Sequence, residues 1–173
     1  NAEIICRVAP AVIFYNVYEC GQPDAAAGAA VLLADGSNNR IVGSHVAKIY
    51  KPGTDEKLHK YDGAFYSRMS MKLDGAGKLR IEADNEGLDS ELHLTINGGE
   101  LYGSNTVDGG TVIYTHEAAV NINGGKISGG KASSTDLNKE HSNIGLRNGS
   151  VLNLSGGEIT GRIACNAGNT ATV

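Results

Sequence analysis

Apolar and polar residues alternate over short segments of this chain, and the alternation recurs in similar copies. Three copies place a Gly-Gly pair between two short apolar segments, at residues 92–103, 119–129 and 151–161, and a looser copy lies at residues 71–81. Each copy predicts a short strand, a tight glycine corner and a second short strand. A unit that repeats every roughly 20 to 50 residues is typical of a solenoid.

Aligning the copies on the residue before the corner gives three apolar columns and one polar column. The apolar columns are Met71, Leu94, Val120 and Leu152; Leu73, Ile96, Ile122 and Leu154; and Leu79, Leu101, Ile127 and Ile159. The polar column, between the first two, is Lys72, Thr95, Asn121 and Asn153. Successive side chains of a strand point to opposite faces, so we expect the apolar columns inside and the polar column outside.

The spacing of the copies predicts the fold. The residues before the corners lie 23, 26 and 32 residues apart, about the length of a coil of three strands and three turns. No segment keeps a helical pattern, and parallel strands in an α/β sheet would need helical crossovers. We therefore predict an all-β protein, a right-handed parallel β-helix built from three-strand coils.

The regular coils occupy only part of the expected single domain. Residues 63–173 hold the Gly-Gly coils, whereas residues 1–62 predict irregular first coils or a cap region. That first part is predicted to contain buried strands at residues 11–15 and 30–33. It is also predicted to contain a charged turn at residues 51–57. The last residues resemble the start of an unfinished coil. We therefore expect a fragment of a longer chain or end-to-end self-association through the exposed strand edges.

One column predicts a contact that a structure can test. The residue after each glycine corner is Lys78, Glu100, Lys126 and Glu158 in turn. Coils stacked in register at about 4.8 Å would place these side chains in one outer ladder of alternating sign. Such a ladder adds little stability, but slipping by one coil would bring like charges together.

Composition excludes several classes of function. The formal net charge is −4, which disfavours nucleic acid because no basic face offsets phosphate repulsion. No apolar run is long enough for membrane insertion. The three cysteines, Cys6, Cys20 and Cys165, lack metal-ligand spacing, and a Cys6–Cys20 disulfide and buried free thiols both remain open.

The densest acidic segment, residues 82–91, is a candidate metal site. It carries five carboxylates and a glycine in ten residues, an oxygen-rich composition that suits calcium. Asp89 and Glu91 would point to the same side of a strand and could share one ion. A solvated acidic turn is the alternative, and the spacing is not that of an EF-hand.

Part of the chain resembles a known family. Residues 27–101 carry the resemblance, above all residues 30–37, 57–64 and 84–91, the last followed by the corner at 96–99. These segments resemble a bacterial family, found in clostridia and their relatives, of extracellular carbohydrate-binding proteins with a pectate-lyase-like β-helix fold.

The resemblance has four implications for function. It implies binding of cellulose or of acidic sugars such as polygalacturonate, at an extracellular or cell-surface location in a bacterium. It also implies calcium as a cofactor, and its acidic motif makes Asp84, Glu86, Asp89 and Glu91 the candidate ligands.

Polysaccharide recognition needs flat aromatic faces together with charge. The candidate residues are Tyr61, Tyr66, Arg68, Arg80 and Tyr102. Tyr102 falls in an outward column with Arg80, Ser128 and Thr160, whereas tyrosines that merely cover coil edges are the alternative. The net negative charge favours calcium-mediated binding of an acidic polymer over direct ion pairing.

Two other classes of function remain open. A polysaccharide lyase would need a cation and a base, and Arg68, Arg147 or Lys72 could serve, although none lies in a diagnostic motif. A structural or adhesive cell-surface solenoid would use the same coils. We expect a non-catalytic binding module.

Overall fold

The regular structure in the described part of the chain consists of strands. The computed structural model describes residues 1–15, 28–106, 111–116, 118–130, 144–147, 149–165, 168 and 170–173, and these form no helix. Accordingly, the described part of the chain offers no helical segment of the length and apolarity needed to cross a membrane.

Twenty short strands follow one another along the described residues. They are β1 (Glu3–Ile5), β2 (Val12–Phe14), β3 (Ala29–Leu33), β4 (Asn38–Gly43), β5 (Val46–Tyr50), β6 (Lys57–Tyr61), β7 (Gly63–Ser67), β8 (Met71–Gly75), β9 (Lys78–Ala83), β10 (Glu86–Ser90), β11 (Leu94–Ile96), β12 (Glu100–Asn105), β13 (Ile113–His116), β14 (Ala119–Ile122), β15 (Lys126–Gly129), β16 (Ile144–Arg147), β17 (Val151–Leu154), β18 (Glu158–Thr160), β19 (Ile163–Cys165) and β20 (Thr170–Thr172).

Eighteen of these strands form three parallel sheets of six strands each. Sheet 1 has the order β1-β4-β9-β12-β15-β18, sheet 2 the order β19-β16-β13-β10-β7-β2, and sheet 3 the order β20-β17-β14-β11-β8-β3. Each successive coil adds one strand to each sheet. The predicted parallel β-helix is therefore confirmed. Strands β5 and β6 form a separate antiparallel hairpin inserted between β4 and β7.

The predicted apolar columns stack as ladders inside the coils. Leu94 pairs in register with Met71 on one side and Val120 on the other, and Val120 pairs with Leu152. All four are at most 2% exposed. The second and third columns are likewise in register and are buried, apart from their half-buried last members. The continuous aliphatic core removes this apolar surface from water.

The two glycines of each corner have different physical roles. The second glycine, at positions 99, 125 and 157, has φ of 83° to 84°, a left-handed conformation that favours glycine. The first glycine allows close stacking of coils, because a Cβ on Gly98 would lie 2.4 Å from the Gly75 carbonyl oxygen. Any side chain at that first position would push the coils apart.

The first part of the chain continues the same coils. Strands were correctly predicted around residues 11–15 and 30–33, but their full burial was wrong. Leu32 is 76% exposed and Ile13 is 41% exposed. The physical reason is alternation, because Leu32 lies in register with the outward-facing Asp74 and only Leu33 is buried. The charged turn at residues 51–57 is confirmed as the hairpin tip, where the Lys51 amide donates to the Glu56 carbonyl at 2.9 Å.

The charge ladder is also confirmed. Glu100 lies between Lys78 and Lys126 in sheet 1, and Lys126 pairs in register with Glu158. The Lys78 ammonium lies 2.9 Å from the Glu100 carboxylate, and the Lys126 ammonium 3.5 Å from that of Glu158. Register and charge pattern therefore agree.

A Cys6–Cys20 disulfide, which the sequence leaves open, is not tested by the structure. Cys6 is a half-buried free thiol, and Cys20 lies outside the described residues.

Candidate functional site

The outer surface of sheet 1 carries the most accessible of the predicted binding residues. One outward column runs across all six strands, and we call it the Tyr102 face. Its members are Glu3, Arg40, Arg80, Tyr102, Ser128 and Thr160. The column places charged groups on the first coils, an aromatic ring in the middle and hydroxyl groups on the last coils.

An arginine and a tyrosine stack at the centre of this face. The Arg80 guanidinium lies over the Tyr102 ring, 4.9 Å from its centroid, and Tyr102 is 42% exposed. Stacking a cation on an aromatic face holds both groups in one orientation. The predicted pair Arg80 and Tyr102 is therefore together in space, and its ring is accessible from solvent.

Glu82 fixes the cations of the Tyr102 face. Its carboxylate accepts two hydrogen bonds from Arg40, at 2.9 and 2.8 Å, and one from Arg80 at 2.8 Å. Arg40 also contacts Glu3. These hydrogen bonds from Arg40 and Arg80 lower the pKa of Glu82 to about 2. The side chain of Glu82 is 27% exposed, so the network is partly shielded from water.

A shallow trough of about 490 Å³ runs along this surface. Its walls combine the Tyr102 face with the charge ladder, and Tyr102, Arg80, Ser128 and Thr160 all line it. The hydroxyl groups of Ser128 and Thr160 can donate and accept hydrogen bonds. Together, a stacked aromatic ring and a row of polar groups on a flat sheet provide the two kinds of contact that a sugar ring needs.

Tyr61, Tyr66 and Arg68 lie elsewhere, on the side of sheet 2. Tyr66 is only 4% exposed, and the Tyr61 ring packs edge-on against it at 4.7 Å between centroids. The Tyr66 hydroxyl donates to Glu91 at 2.9 Å, and burial raises the pKa of Tyr66 well above its usual range. The Arg68 guanidinium lies 4.9 Å from the Tyr15 ring centroid. The five candidates thus divide between two surfaces.

The four predicted metal ligands also separate. Glu86 and Asp89, both on β10, lie together with Asp62, and the three carboxylates offer oxygens within 4.8 Å of one another. We call these three residues the acidic cluster. Asp84 instead accepts hydrogen bonds from the amide and the ring Nδ1 of His45, at 2.8 and 2.9 Å. Glu91 accepts the bond from the Tyr66 hydroxyl.

Asp62 was not predicted as a ligand, although the sequence carries a signal for it. Gly63 pairs in register with Glu86, one coil further along, which places Asp62 beside the start of β10. The coil spacing of 23 residues would therefore have pointed from Glu86 back to Gly63, which directly follows Asp62. Three carboxylates at this distance suit a hard cation such as calcium, which takes oxygen ligands.

The comparison with known proteins identifies the family of the chain. A family model of carbohydrate-binding domain-containing proteins matches residues 2–164. The chain belongs to this family. Membership supports the carbohydrate-binding role that the resemblance implied. No curated protein and no solved structure matched the chain.

Within this carbohydrate-binding family member, the two surfaces differ in access. Tyr102 is 42% exposed beside an open trough, whereas Tyr66 and Asp89 are each 4% exposed. A polymer can reach the ring of Tyr102 directly. The acidic cluster lies closer to the packed hairpin base, since Asp62 directly follows β6.

Proposed function

We propose that the chain is a non-catalytic module that binds a polysaccharide on the Tyr102 face. The observation that carries this proposal is the stacked pair of Arg80 and Tyr102, half-exposed on a flat six-stranded sheet and beside a trough. A sugar ring would pack its apolar face on Tyr102 while its hydroxyl groups meet Ser128 and Thr160. The column crosses successive strands, so an extended polymer would lie along the solenoid axis.

We infer the class of polysaccharide from the charges. The two arginines of the Tyr102 face form ion pairs with Glu3, on the same face, and with Glu82 beside it. This surface therefore offers an acidic polymer no excess of positive charge. It suits a neutral plant cell-wall polymer such as cellulose. Binding of an acidic polymer such as polygalacturonate would then depend on a divalent cation, because the chain is negatively charged overall.

We propose calcium as that cation, held by Asp62, Glu86 and Asp89, so an acidic polymer would bind beside the acidic cluster rather than on the Tyr102 face. The acidic cluster offers carboxylate oxygens that fit its chemistry. Asp62 follows the β5–β6 hairpin and the other two lie on β10, so the ion would join the hairpin base to sheet 2. We also propose that the protein acts outside a bacterial cell or at its surface, where calcium is abundant.

The proposal is tested by binding to defined polymers. Purified protein is incubated with insoluble cellulose, and separately run by affinity electrophoresis through polygalacturonate, with calcium and with a chelator. We expect retention on cellulose in both conditions, and retention by polygalacturonate that is lost with the chelator. Retention by neither polymer would contradict the proposal. Release of unsaturated uronates, seen as rising ultraviolet absorbance, would establish a polysaccharide lyase instead.

A second proposal concerns end-to-end self-association. The first coil exposes large apolar side chains, including Val8 at 83%, Leu32 at 76% and Ile5 at 47%. Ile4, Val31 and Leu32 also line an adjoining depression of about 300 Å³. Apolar patches of this kind mark association surfaces. Ile4 lies on the edge strand β1 in register with the buried Ile41 and is 43% exposed. Sedimentation at increasing concentration should show larger species that Ile4→Ser weakens, whereas a monomer at every concentration would contradict the proposal.

A further inference from the structure

The corners of sheet 3 carry a ladder of polar side chains. Within each corner, the residue directly before the first glycine is Asp74, Asn97, Asn123 or Ser155. The Asn123 amide donates to the Asn97 side-chain oxygen at 2.9 Å, and the Ser155 hydroxyl donates to the Asn123 side-chain oxygen at 2.9 Å. The Asn97 amide donates to Asp74 at 3.4 Å. Each side chain thus contacts the coil below it.

Two of these residues form Asn-Gly pairs, the sequence in which asparagine is chemically least stable. A following glycine leaves its backbone nitrogen unhindered, and that nitrogen can attack the asparagine side-chain carbon. Asn97 and Asn123 occupy equivalent corners, are both exposed and are both followed by two glycines. They are therefore a matched pair, and any difference in reactivity must come from the fold.

The fold protects the two pairs unequally. The Gly124 amide donates to the Ile96 carbonyl at 3.3 Å, and the equivalent Gly156 amide donates to the Ile122 carbonyl at 3.2 Å. The Gly98 amide makes no hydrogen bond within the described residues, where the Leu73 carbonyl accepts from the Asn97 amide at 2.9 Å alone. The Ile96 carbonyl, by contrast, accepts from both the Asn123 amide, at 2.8 Å, and the Gly124 amide. The side-chain amide nitrogen of Asn97 is also held at the longer distance, 3.4 Å against 2.9 Å for Asn123.

We propose that Asn97 is a site of spontaneous deamidation in the folded protein. The Gly98 nitrogen, after losing its proton to hydroxide, attacks Cγ of Asn97 and forms a new C–N bond. The bond from Cγ to Nδ2 breaks, and the amide nitrogen leaves as ammonia with a proton from water. Water then opens the cyclic imide at either carbonyl and gives aspartate or isoaspartate at position 97.

Both products disturb this corner. An aspartate at position 97 places a second carboxylate beside Asp74 and removes the amide that donates to it. An isoaspartate routes the main chain of residue 97 through its Cβ and so adds one carbon before Gly98. The Gly98 Cα is packed closely on the coil below, where a Cβ would lie 2.4 Å from the Gly75 oxygen, so a shift of the lengthened chain would disturb this contact. The corner would have to open immediately before β12, the strand that carries Tyr102.

Ageing the intact protein tests the proposal. Folded protein is kept warm at mildly alkaline pH, sampled over time and digested, and aspartate and isoaspartate at positions 97 and 123 are quantified by mass spectrometry. The same measurement in denaturant gives the rates of the two pairs without the fold. We expect equal rates in denaturant and, in the folded protein, about two- to fivefold faster conversion at position 97. The upper figure is the factor that one ordinary hydrogen bond represents, and the Gly124 bond is longer than that at 3.3 Å and shares its acceptor.

Two variants complete the test. Asn97→Ser copies Ser155 of the last corner, so we expect it to fold and to remove the modification at position 97. Asn123→Ser should leave conversion at position 97 within about twofold, because its hydroxyl can donate to the Asn97 side-chain oxygen as Ser155 donates to Asn123. The fraction modified at position 97 should unfold at a lower temperature than the unmodified protein. Equal conversion of Asn97 and Asn123 in the folded protein, or faster conversion at Asn123, would overturn the proposal.

Discussion

At the scale of single residues, Glu82 has the largest influence on the candidate site. Its carboxylate joins Arg40 of one coil to Arg80 of the next, and Arg80 in turn lies over Tyr102. The charged Glu82 carboxylate holds both guanidinium groups in this orientation through its hydrogen bonds. One acidic side chain therefore sets the geometry of the aromatic ring that we propose as the sugar contact.

The lowered pKa of Glu82 gives a pH dependence of stability. The folded value of about 2 lies below the ordinary value of 4.5, so the charged form stabilises the fold. This contribution is present in full above the ordinary pKa and is lost as pH falls through about 2. Denaturant unfolding of wild type and Glu82→Gln should differ most at neutral pH, and the difference should shrink from pH 4.5 down to 2.

An exposed carboxylate provides the control for that series. Glu56 lies at the hairpin tip with 61% of its side chain exposed. We expect Glu56→Gln to change the free energy of unfolding little at any pH, because exposed ion pairs contribute little. A Glu82→Gln deficit that stayed constant over the whole range would contradict the role assigned to Glu82.

At the scale of elements, the burial of each strand follows its alternation and its neighbours. Met71, on β8, is 2% exposed between two coils, while Leu32, on the neighbouring β3, is 76% exposed. Truncating Met71 to alanine leaves a cavity, so we expect a loss of about 2–5 kcal/mol in the free energy of unfolding. Leu32→Ala should change it by no more than about 0.5 kcal/mol.

Chemical denaturation of both variants checks this contrast. Equal losses for Met71→Ala and Leu32→Ala would show that the coils do not stack as described. The comparison requires that the free energy of unfolding falls with denaturant concentration at a similar slope in both variants. A changed slope would report a change in the surface exposed on unfolding.

The Gly-Gly repeats made the elements from residue 63 onward predictable. Period-two columns and a repeated corner together specify which side chains point inward and which coils are neighbours, and the ladder from Lys78 to Glu158 follows directly. Full burial of β2 and β3 was wrongly predicted because an apolar run does not reveal which of its residues point outward. Leu32 is apolar yet points outward beside Asp74.

The candidate sites were less predictable, because they join residues from different coils. Asp84 and Asp89 are close in sequence, but one contacts His45 and the other lies with Asp62. These two partners, His45 and Asp62, flank the hairpin between β4 and β7, and the repeat does not encode the position of that hairpin. Only Asp62 could have been located from the coil spacing, because it directly precedes Gly63, the residue in register with Glu86. By contrast, Arg80 and Tyr102 occupy one repeat column, so their contact was accessible from the alignment.

At the scale of the whole molecule, the proposed calcium site joins the hairpin base to the solenoid. Titration calorimetry with calcium alone should show that Asp89→Asn weakens binding more than about tenfold, because a ligand charge is lost. The matched control is Asp84→Asn, whose carboxylate contacts His45 instead, and we expect near wild-type affinity. Loss of binding in Asp84→Asn with none in Asp89→Asn would refute the acidic cluster as the site.

Calcium should also raise the stability of the wild type. A ligand that binds only the folded state shifts unfolding to higher temperature, in proportion to its affinity and concentration. Melting curves with calcium and with chelator should differ for the wild type and coincide for Asp89→Asn. Identical shifts in both proteins would place the ion elsewhere.

The central claim is that a polysaccharide binds on the Tyr102 face. The most direct test is titration calorimetry of wild type, Tyr102→Ala and Tyr50→Ala. The ligand is a soluble polymer or oligosaccharide that the wild-type protein binds. Tyr50 lies on the hairpin and is 47% exposed, close to the 42% of Tyr102. We predict about tenfold weaker binding for Tyr102→Ala and unchanged binding for Tyr50→Ala. Wild-type affinity in Tyr102→Ala would contradict the account.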